Sequence, residues 1–275
     1  MDERTRDGIV AKFDRAREHL ERLYREVDEF IEGKPHHYWA KPDFHAGRYS
    51  IHVTVNNEPS VEMSVTCGDF IHCLRSALDQ LACAAVPKVT RRTAYPIYND
   101  RDDFFCRVVV PAKRKRDGPL TGLDVTGDLF AAIELTQPYN GPHGLRVHPL
   151  FTLAALSNMD KHRAILASAA AQTGDVEHLA VIAKDIDASP AYYETGVPLK
   201  NGAKIGWGKL TVTGLEPHME MHGELPFEVA FGEGDDLAQL EGLEKLRKAI
   251  YSIASGFIRQ LGGTEPPPWA PIRTF

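Results

Sequence analysis

Three polar residues, His72, Arg75 and Asp79, have types and a spacing that could support chemistry. At 100° per residue they share one arc of a predicted helix and lie opposite an apolar arc. An adjacent imidazole and guanidinium can bind a phosphate or an anionic substrate when another helix or a second copy covers them. In the structural alternative, Arg75 and Asp79 form an exposed i,i+4 ion pair that contributes about 0.2–0.5 kcal/mol. Both interpretations remain open from the sequence.

A second polar group ends another predicted helix, which begins at Pro149. The apolar residues of this helix surround its axis, which is typical of a helix buried on most faces. Its last turn is polar and carries Asn158, Asp160, Lys161, His162 and Arg163. These side chains either enter a cleft or cap the helix, since cations are favoured at a helix C-terminus. We predict that His72, Arg75, Asp79 and His162 are catalytic, and that Asn158, Asp160, Lys161 and Arg163 bind substrate.

Two weaker patterns concern metals and phosphates. Alternation in EPHMEMH places Glu216, His218, Glu220 and His222 on one face of any strand, where they could bind a metal. The solvated face of a half-buried strand gives the same string, so we assign no metal and no cofactor. The basic run Lys113–Arg116 could contact a phosphate backbone, although solvated loops more often carry such runs.

The elements that must position these residues predict an α+β fold, with helices packed on a largely antiparallel sheet. A long N-terminal helix over 9–30 has an apolar seam, which is typical of a coiled coil or of a helix lying along its own domain. Further predicted elements are a β-hairpin over 51–65 with NNEP as its turn, helices at 69–86, 128–135, 149–163 and 236–261, and five β-runs between 165 and 234. Residues 88–127 read as irregular.

These elements suggest three regions within one continuous fold. They are a mostly helical part with a hairpin over 1–163, a β-rich part over 164–235, and a C-terminal helix with a proline-rich tail over 236–275. At 275 residues with 43% apolar composition, the chain can bury a large core.

Composition excludes several classes of function. No stretch approaches the roughly 20 apolar residues of a membrane span, so we expect no membrane partner. The four cysteines form no CxxC pair, which predicts reduced thiols and a cytoplasmic location. The net charge of −6 disfavours broad capture of nucleic acid, although a local basic patch could still bind it. Phosphate-loop, dinucleotide and nucleophile-elbow motifs are lacking in the sequence.

The strings GDFIHCLRSALDQLA, ELTQPYNG and HPLFTLAALSNMDKHR resemble a family of uncharacterised bacterial and phage-borne proteins, over residues 65–166. The helical part also resembles the HEPN superfamily. That resemblance implies paired helical domains and an R-x4-6-H motif that cuts RNA or binds nucleotides. Here Gln80 stands where histidine is expected after Arg75, and glutamine cannot act as a general acid or base. Cleavage would then need His72 or His162.

Two hypotheses follow for function. The first is a HEPN-like protein that binds RNA or a nucleotide and self-associates as a homodimer, with metal-independent ribonuclease activity as its catalytic form. The second is a non-catalytic structural or protein-interaction module, supported by the apolar seam, the broad sheet and the acidic balance.

Overall fold

The computed structural model describes residues 1–109, 118–141, 148–162, 165, 167–171, 180–194, 199–222, 227–233 and 237–264. The helices are α1 Glu3–Glu32, α2 Val61–Ala85, α3 Arg101–Phe104, α4 Asp128–Leu135, α5 Pro149–His162 and α6 Leu240–Gln260. The strands are β1 His36–Asp43, β2 Arg48–Val55, β3 Ala167–Ala171, β4 Ala180–Lys184, β5 Ile186–Ala188, β6 Tyr192–Tyr193, β7 Lys204–Val212, β8 His218–His222, β9 Phe227–Phe231 and β10 Ala238–Gln239. The predicted α+β class and the long N-terminal helix are confirmed.

The chain divides into two compact units, each assembled from segments that are distant in sequence. The helical unit contains residues 1–25, 64–165 and 232–275, and the β unit contains residues 26–63 and 166–231. No helix among the described residues is both long and apolar enough to cross a membrane.

Helix α1 lies along other helices of its own unit. Its seam residues Ile9, Phe13, Ala16, Leu20 and Leu23 are buried. Gly8 faces Gln80 of α2, and the charge of Asp69 acts on His19, so α1 and α2 run antiparallel. Phe13 also packs edge-on against Tyr251 of α6, with ring centroids 5.2 Å apart. These contacts support the intramolecular interpretation of the seam over the coiled coil.

The predicted hairpin over 51–65 is wrong in its second strand. Residues from Val61 onward belong to α2, because the Ser60 hydroxyl accepts a hydrogen bond from the Met63 N–H at 3.3 Å and caps the helix. Three alternating apolar residues are too few to distinguish a strand from a helix entry. The hairpin partner of β2 is instead β1, which precedes it in the chain.

A tight turn over 44–47 joins β1 to β2. Asp43 accepts a hydrogen bond from the Ala46 N–H at 3.0 Å, and Gly47 adopts a φ of +62°, which side chains disfavour. This turn sets the register of the hairpin, in which His36 faces Val55 and Asp43 faces Arg48.

The β unit is built on antiparallel pairs. Its main sheet has the order β1-β2-β7-β5, and β6 also pairs with β7. The pairs β3–β9 and β4–β8 are antiparallel as well. The buried side of the main sheet packs against these strands through Tyr38, Tyr49, Ile51, Val53, Ile205, Leu210, Met219 and Met221. Tyr49 lies across Gly208, where a Cβ atom would be 2.4 Å from the tyrosine hydroxyl.

The helices predicted at 128–135 and from Pro149 are confirmed, and the second of them carries a titratable cap. His148 Nδ1 accepts a hydrogen bond from the Leu150 N–H at 3.2 Å, so the imidazole holds this contact only when Nδ1 is unprotonated. Burial lowers the pKa of His148 below its ordinary value of 6.5.

We expect the free energy of unfolding to fall as the pH drops below about 6.5, because the unfolded state takes up a proton that the folded His148 resists. His148→Asn keeps an oxygen cap that does not titrate. Urea titrations should therefore show that this variant loses less stability between pH 7 and pH 5 than the wild-type chain does. The pKa values of His19 and His36 are also lowered by burial, but both residues are present in the variant and in the wild-type chain, so they add the same pH dependence to each. Equal pH dependence in the two proteins would contradict the assignment.

Candidate functional site

The predicted pair Arg75 and Asp79 forms an ion pair in the structure, with N–O distance 2.8 Å. Both side chains also bind the backbone of Tyr95. The Arg75 guanidinium donates to the Tyr95 carbonyl at 2.7 Å, and Asp79 accepts from the Tyr95 N–H at 2.9 Å. The pair therefore has a structural role in anchoring a non-helical segment to α2, but it is partly buried and does not lie on the solvated face that the structural alternative predicted.

Gln137 holds the same segment from the other side. Its amide nitrogen donates to the carbonyls of Pro96 and Ile133, and its oxygen accepts from the Tyr98 N–H, each at 3.0 Å. The Tyr95 hydroxyl lies 2.6 Å from that of Thr136. The segments LRSALD and LTQPY thus both bind the segment YPIY.

The residues at the end of α5 are spread over its surface. Asn158, Asp160, Lys161 and His162 are all exposed, and the Asp160 carboxylate also lies against Gly68, where a Cβ would be 2.4 Å from its oxygen. Burial and the charge of Asp160 raise the pKa of the Cys67 thiol. Arg163 lies outside the described residues.

The two predicted clusters lie on helices that are in contact, since Asp160 of α5 lies against Gly68 of α2. His72 is exposed on α2, and no hydrogen bond or ion pair between described residues links Arg75 to His162. A catalytic role for His72, Arg75, Asp79 and His162 stays a prediction.

The structure describes the weaker patterns only in part. Glu216 lies in the turn before β8 and bonds to Lys184 at 2.6 Å, while His218 contacts Glu220 at 3.0 Å. Across the described ranges, no group of three or more His, Cys, Asp or Glu residues could hold a metal ion. The run Lys113–Arg116 lies in the undescribed range 110–117.

A different polar surface stands out on the β unit. The outward positions of β1, β2, β7 and β6 alternate with the buried ones and form cross-strand rows. The first row contains Trp39, His52 and Lys204. The second row contains Lys41, Ser50, Trp207 and Tyr192. The third row contains Asp43, Arg48 and Lys209. We name this surface the platform.

The aromatic residues of the platform are unusually exposed. Trp39 is 36% exposed, Trp207 38% and Tyr192 59%. Trp39 stacks on His52 with centroids 4.7 Å apart, and Tyr192 stacks on Trp207 at 4.8 Å. Neighbouring rings thus order these side chains before any ligand arrives, which lowers the entropy cost of binding.

A groove of about 1140 Å³ is lined by the β1–β2 turn and by part of the platform, including Trp207 but not Trp39 or Tyr192. Its charged lining consists of four cations, Lys41, Arg48, Lys204 and Lys209, and one carboxylate, Asp43. Asp43 pairs weakly with Arg48 at 3.9 Å, and both side chains are solvated. The groove is therefore positive, in contrast to the chain's net charge of −6.

Ser50 and His52 make a hydrogen-bonded relay within the groove. His52 Nδ1 lies 3.1 Å from the Gly202 carbonyl oxygen, and His52 Nε2 lies 2.9 Å from the Ser50 hydroxyl. Gly202 adopts a φ of +79° in the turn that precedes β7. This left-handed turn is tied to β2 by the Gly202 N–H, which donates to the Val53 carbonyl at 2.7 Å.

No protein-family model, curated protein or solved structure matches this chain. The resemblance to HEPN proteins therefore stays a prediction, and the chemistry of the surface itself must support any functional proposal.

Sequence reasoning missed the platform because its two halves are far apart in the chain. One signal was present: polar or aromatic residues occur at every second position in WAKPD and RYSIH, and lysines occur on both sides of the tryptophan in KIGWGK. Only the pairing of β2 with β7 reveals that these strings form one surface.

Proposed function

We propose that this protein binds single-stranded RNA on the platform. The observation that carries the proposal is the interleaving of exposed aromatic rings with cations across adjacent strands. Proteins that bind single strands combine a positive groove for the phosphates with aromatic side chains on which successive bases stack. This site differs from the one that the HEPN resemblance implies.

The size and charge of the groove support a polymeric anion. Small-ligand pockets usually measure about 300–1,000 Å³, and this groove exceeds that range. Its cations are concentrated on a chain with more acidic than basic residues, so electrostatic attraction is local to this face.

Unpaired bases and ribose suit the platform better than a duplex does. Stacking on Trp39, Trp207 or Tyr192 requires bases whose faces are free, and a single strand provides them. The hydroxyl of Ser50 and the imidazole of His52 lie between the cations and can hydrogen-bond a 2′-hydroxyl, the group that distinguishes RNA from DNA.

Trp207→Ala should weaken binding of a fluorescein-labelled 12-nucleotide RNA by about 5- to 150-fold in anisotropy titrations, because loss of one stacking partner costs about 1–3 kcal/mol. Trp207→Phe keeps an aromatic face and should stay much closer to wild type. Circular dichroism checks that both variants retain the fold. Unchanged affinity in Trp207→Ala, or no RNA binding by the wild-type protein, would refute the proposal.

The same titrations at several salt concentrations test the contribution of charge. If all four cations contact phosphates, log K should fall with log salt at a slope of about −3, and Lys204→Gln should lessen that slope by about 0.7. Lys88→Gln, at an exposed position of the helical unit, is the matched control. DNA and 2′-O-methyl RNA of the same sequence show whether the ribose hydroxyl contributes, and a duplex should bind more weakly.

The proposal includes a cytoplasmic location. Cys67, Cys73, Cys83 and Cys106 are free thiols, which persist in a reducing compartment. Self-association stays a prediction, which sedimentation with and without RNA would test.

A further inference from the structure

We propose that His52 is the general base of an RNA-cleaving site on the platform, with the substrate's own 2′-hydroxyl as the nucleophile. This inference rests on the proposed RNA binding and adds a reaction to it. It assigns catalysis to the β unit and to a histidine outside the clusters that the sequence singled out.

The hydrogen bonds of His52 fix which ring nitrogen is basic. A carbonyl oxygen only accepts hydrogen bonds, so the contact with Gly202 requires the proton of the neutral ring on Nδ1. Nε2 then carries the lone pair and accepts from the Ser50 hydroxyl at 2.9 Å. Proton abstraction needs a general base that one partner orients and that can reach a hydroxyl. The Gly202 carbonyl orients His52, and its Nε2 faces a hydroxyl.

The neighbours of His52 suit phosphoryl chemistry. The cross-strand register places Trp39 on one side of His52 and Lys204 on the other, while Lys41 faces Ser50 in the adjacent row. A nucleobase of the RNA that stacks beside Trp39 would bring its ribose to the His52 imidazole. The ammonium groups of Lys41 and Lys204 would stabilise the charge that develops on the phosphorus oxygens.

The reaction balances without a co-reactant. His52 Nε2 takes the proton of the 2′-hydroxyl, and the 2′ oxygen forms a bond to the adjacent phosphorus. The bond from phosphorus to the 5′ oxygen breaks, and its electron pair leaves with that oxygen, which takes a proton from solvent. His52 returns its proton to solvent. The products are a 2′,3′-cyclic phosphate and a 5′-hydroxyl.

Acyl transfer by Ser50 fits the surroundings less well. Such chemistry needs N–H donors aimed at an oxyanion, but β2 pairs with β1 on one edge and with β7 on the other over Arg48–His52. Its backbone groups are therefore engaged in the sheet. In the free protein the Ser50 hydroxyl occupies the place at His52 Nε2 that the ribose hydroxyl takes when RNA binds.

The test compares cleavage and binding in the same protein, in buffer with chelator. His52→Gln can still donate to the Gly202 carbonyl but cannot take up a proton, so cleavage should fall about 100- to 10,000-fold. Affinity for uncleavable 2′-O-methyl RNA should change less than threefold. His218→Gln, which alters an exposed imidazole of the β unit outside the groove lining, is the matched control and should cleave at the wild-type rate. Ser50→Ala should keep cleavage within tenfold.

Mass spectrometry of the products should show the cyclic phosphate from RNA and no cleavage of DNA. Wild-type cleavage rates in His52→Gln, or loss of cleavage in Ser50→Ala alone, would overturn the assignment of His52. Binding of RNA without any cleavage would refute this inference and leave the proposed function standing. Failure to bind RNA at all would refute both.

Discussion

Gln137→Leu is expected to lower the free energy of unfolding by about 2–6 kcal/mol. Gln137 is fully buried, and leucine fills the same space without hydrogen-bonding groups. The substitution leaves the Pro96 carbonyl and the Tyr98 N–H without their partners, and each unsatisfied buried group costs about 1–3 kcal/mol. Because the total stability of such proteins is about 5–15 kcal/mol, urea denaturation should show a large shift in midpoint.

Asn140→Ala provides the control for Gln137→Leu. The exposed Asn140 amide also donates to a backbone carbonyl, that of Glu134, at 2.7 Å. Water replaces this partner after substitution, so the loss should stay near or below about 1 kcal/mol. A Gln137→Leu protein as stable as Asn140→Ala would show that the YPIY segment is held by other contacts.

Leu20→Asp is expected to abolish cooperative folding. Leu20 is fully buried in the seam of α1, where truncation alone costs about 2–5 kcal/mol and a carboxylate adds the cost of an unpaired buried charge. The sum approaches the whole stability of the fold. Thermal and urea unfolding followed by circular dichroism should show no sharp transition.

Ala11→Asp introduces the same carboxylate at an exposed position of α1. Its cost is limited to helix propensity, so it should lower stability by less than about 1 kcal/mol. If Leu20→Asp unfolds at the same urea concentration as Ala11→Asp, the seam does not contribute to the core in the way that its burial indicates.

Local patterns in the sequence predicted those helices whose signals are contained within a few turns. The seam of α1 recurs over three heptads, and Pro149 marks the start of α5. The start of α2 was wrongly predicted as a strand because Val61, Met63 and Val65 alternate as strand residues do. The feature that determines the helix start is a single side chain, the Ser60 hydroxyl that caps the helix. Short patterns cannot resolve such a competition.

Contacts between residues far apart in the chain determine the roles of the polar residues. The ion pair of Arg75 and Asp79 was one of two interpretations of the sequence, but their shared target, the backbone of Tyr95, lies 16–20 residues away in an irregular segment. Periodicity within a helix identifies the face of a side chain and says nothing of a loop that folds onto that face. The platform is subject to the same limit, since Trp39 and Trp207 belong to one surface only through β2.

The pairing of β2 with β7 has a consequence for synthesis on the ribosome. His52 of β2 is synthesised about 152 residues before its partner on β7, which is the distance along the chain between positions 52 and 204. Because synthesis adds roughly 5–20 residues per second, one edge of the β1–β2 hairpin stays unpaired for roughly 8–30 s. An uncovered strand edge is a template for unwanted pairing with other chains. We therefore expect slow translation or scarce chaperones to reduce the yield of native protein through aggregation of incomplete chains, even where the finished fold is stable.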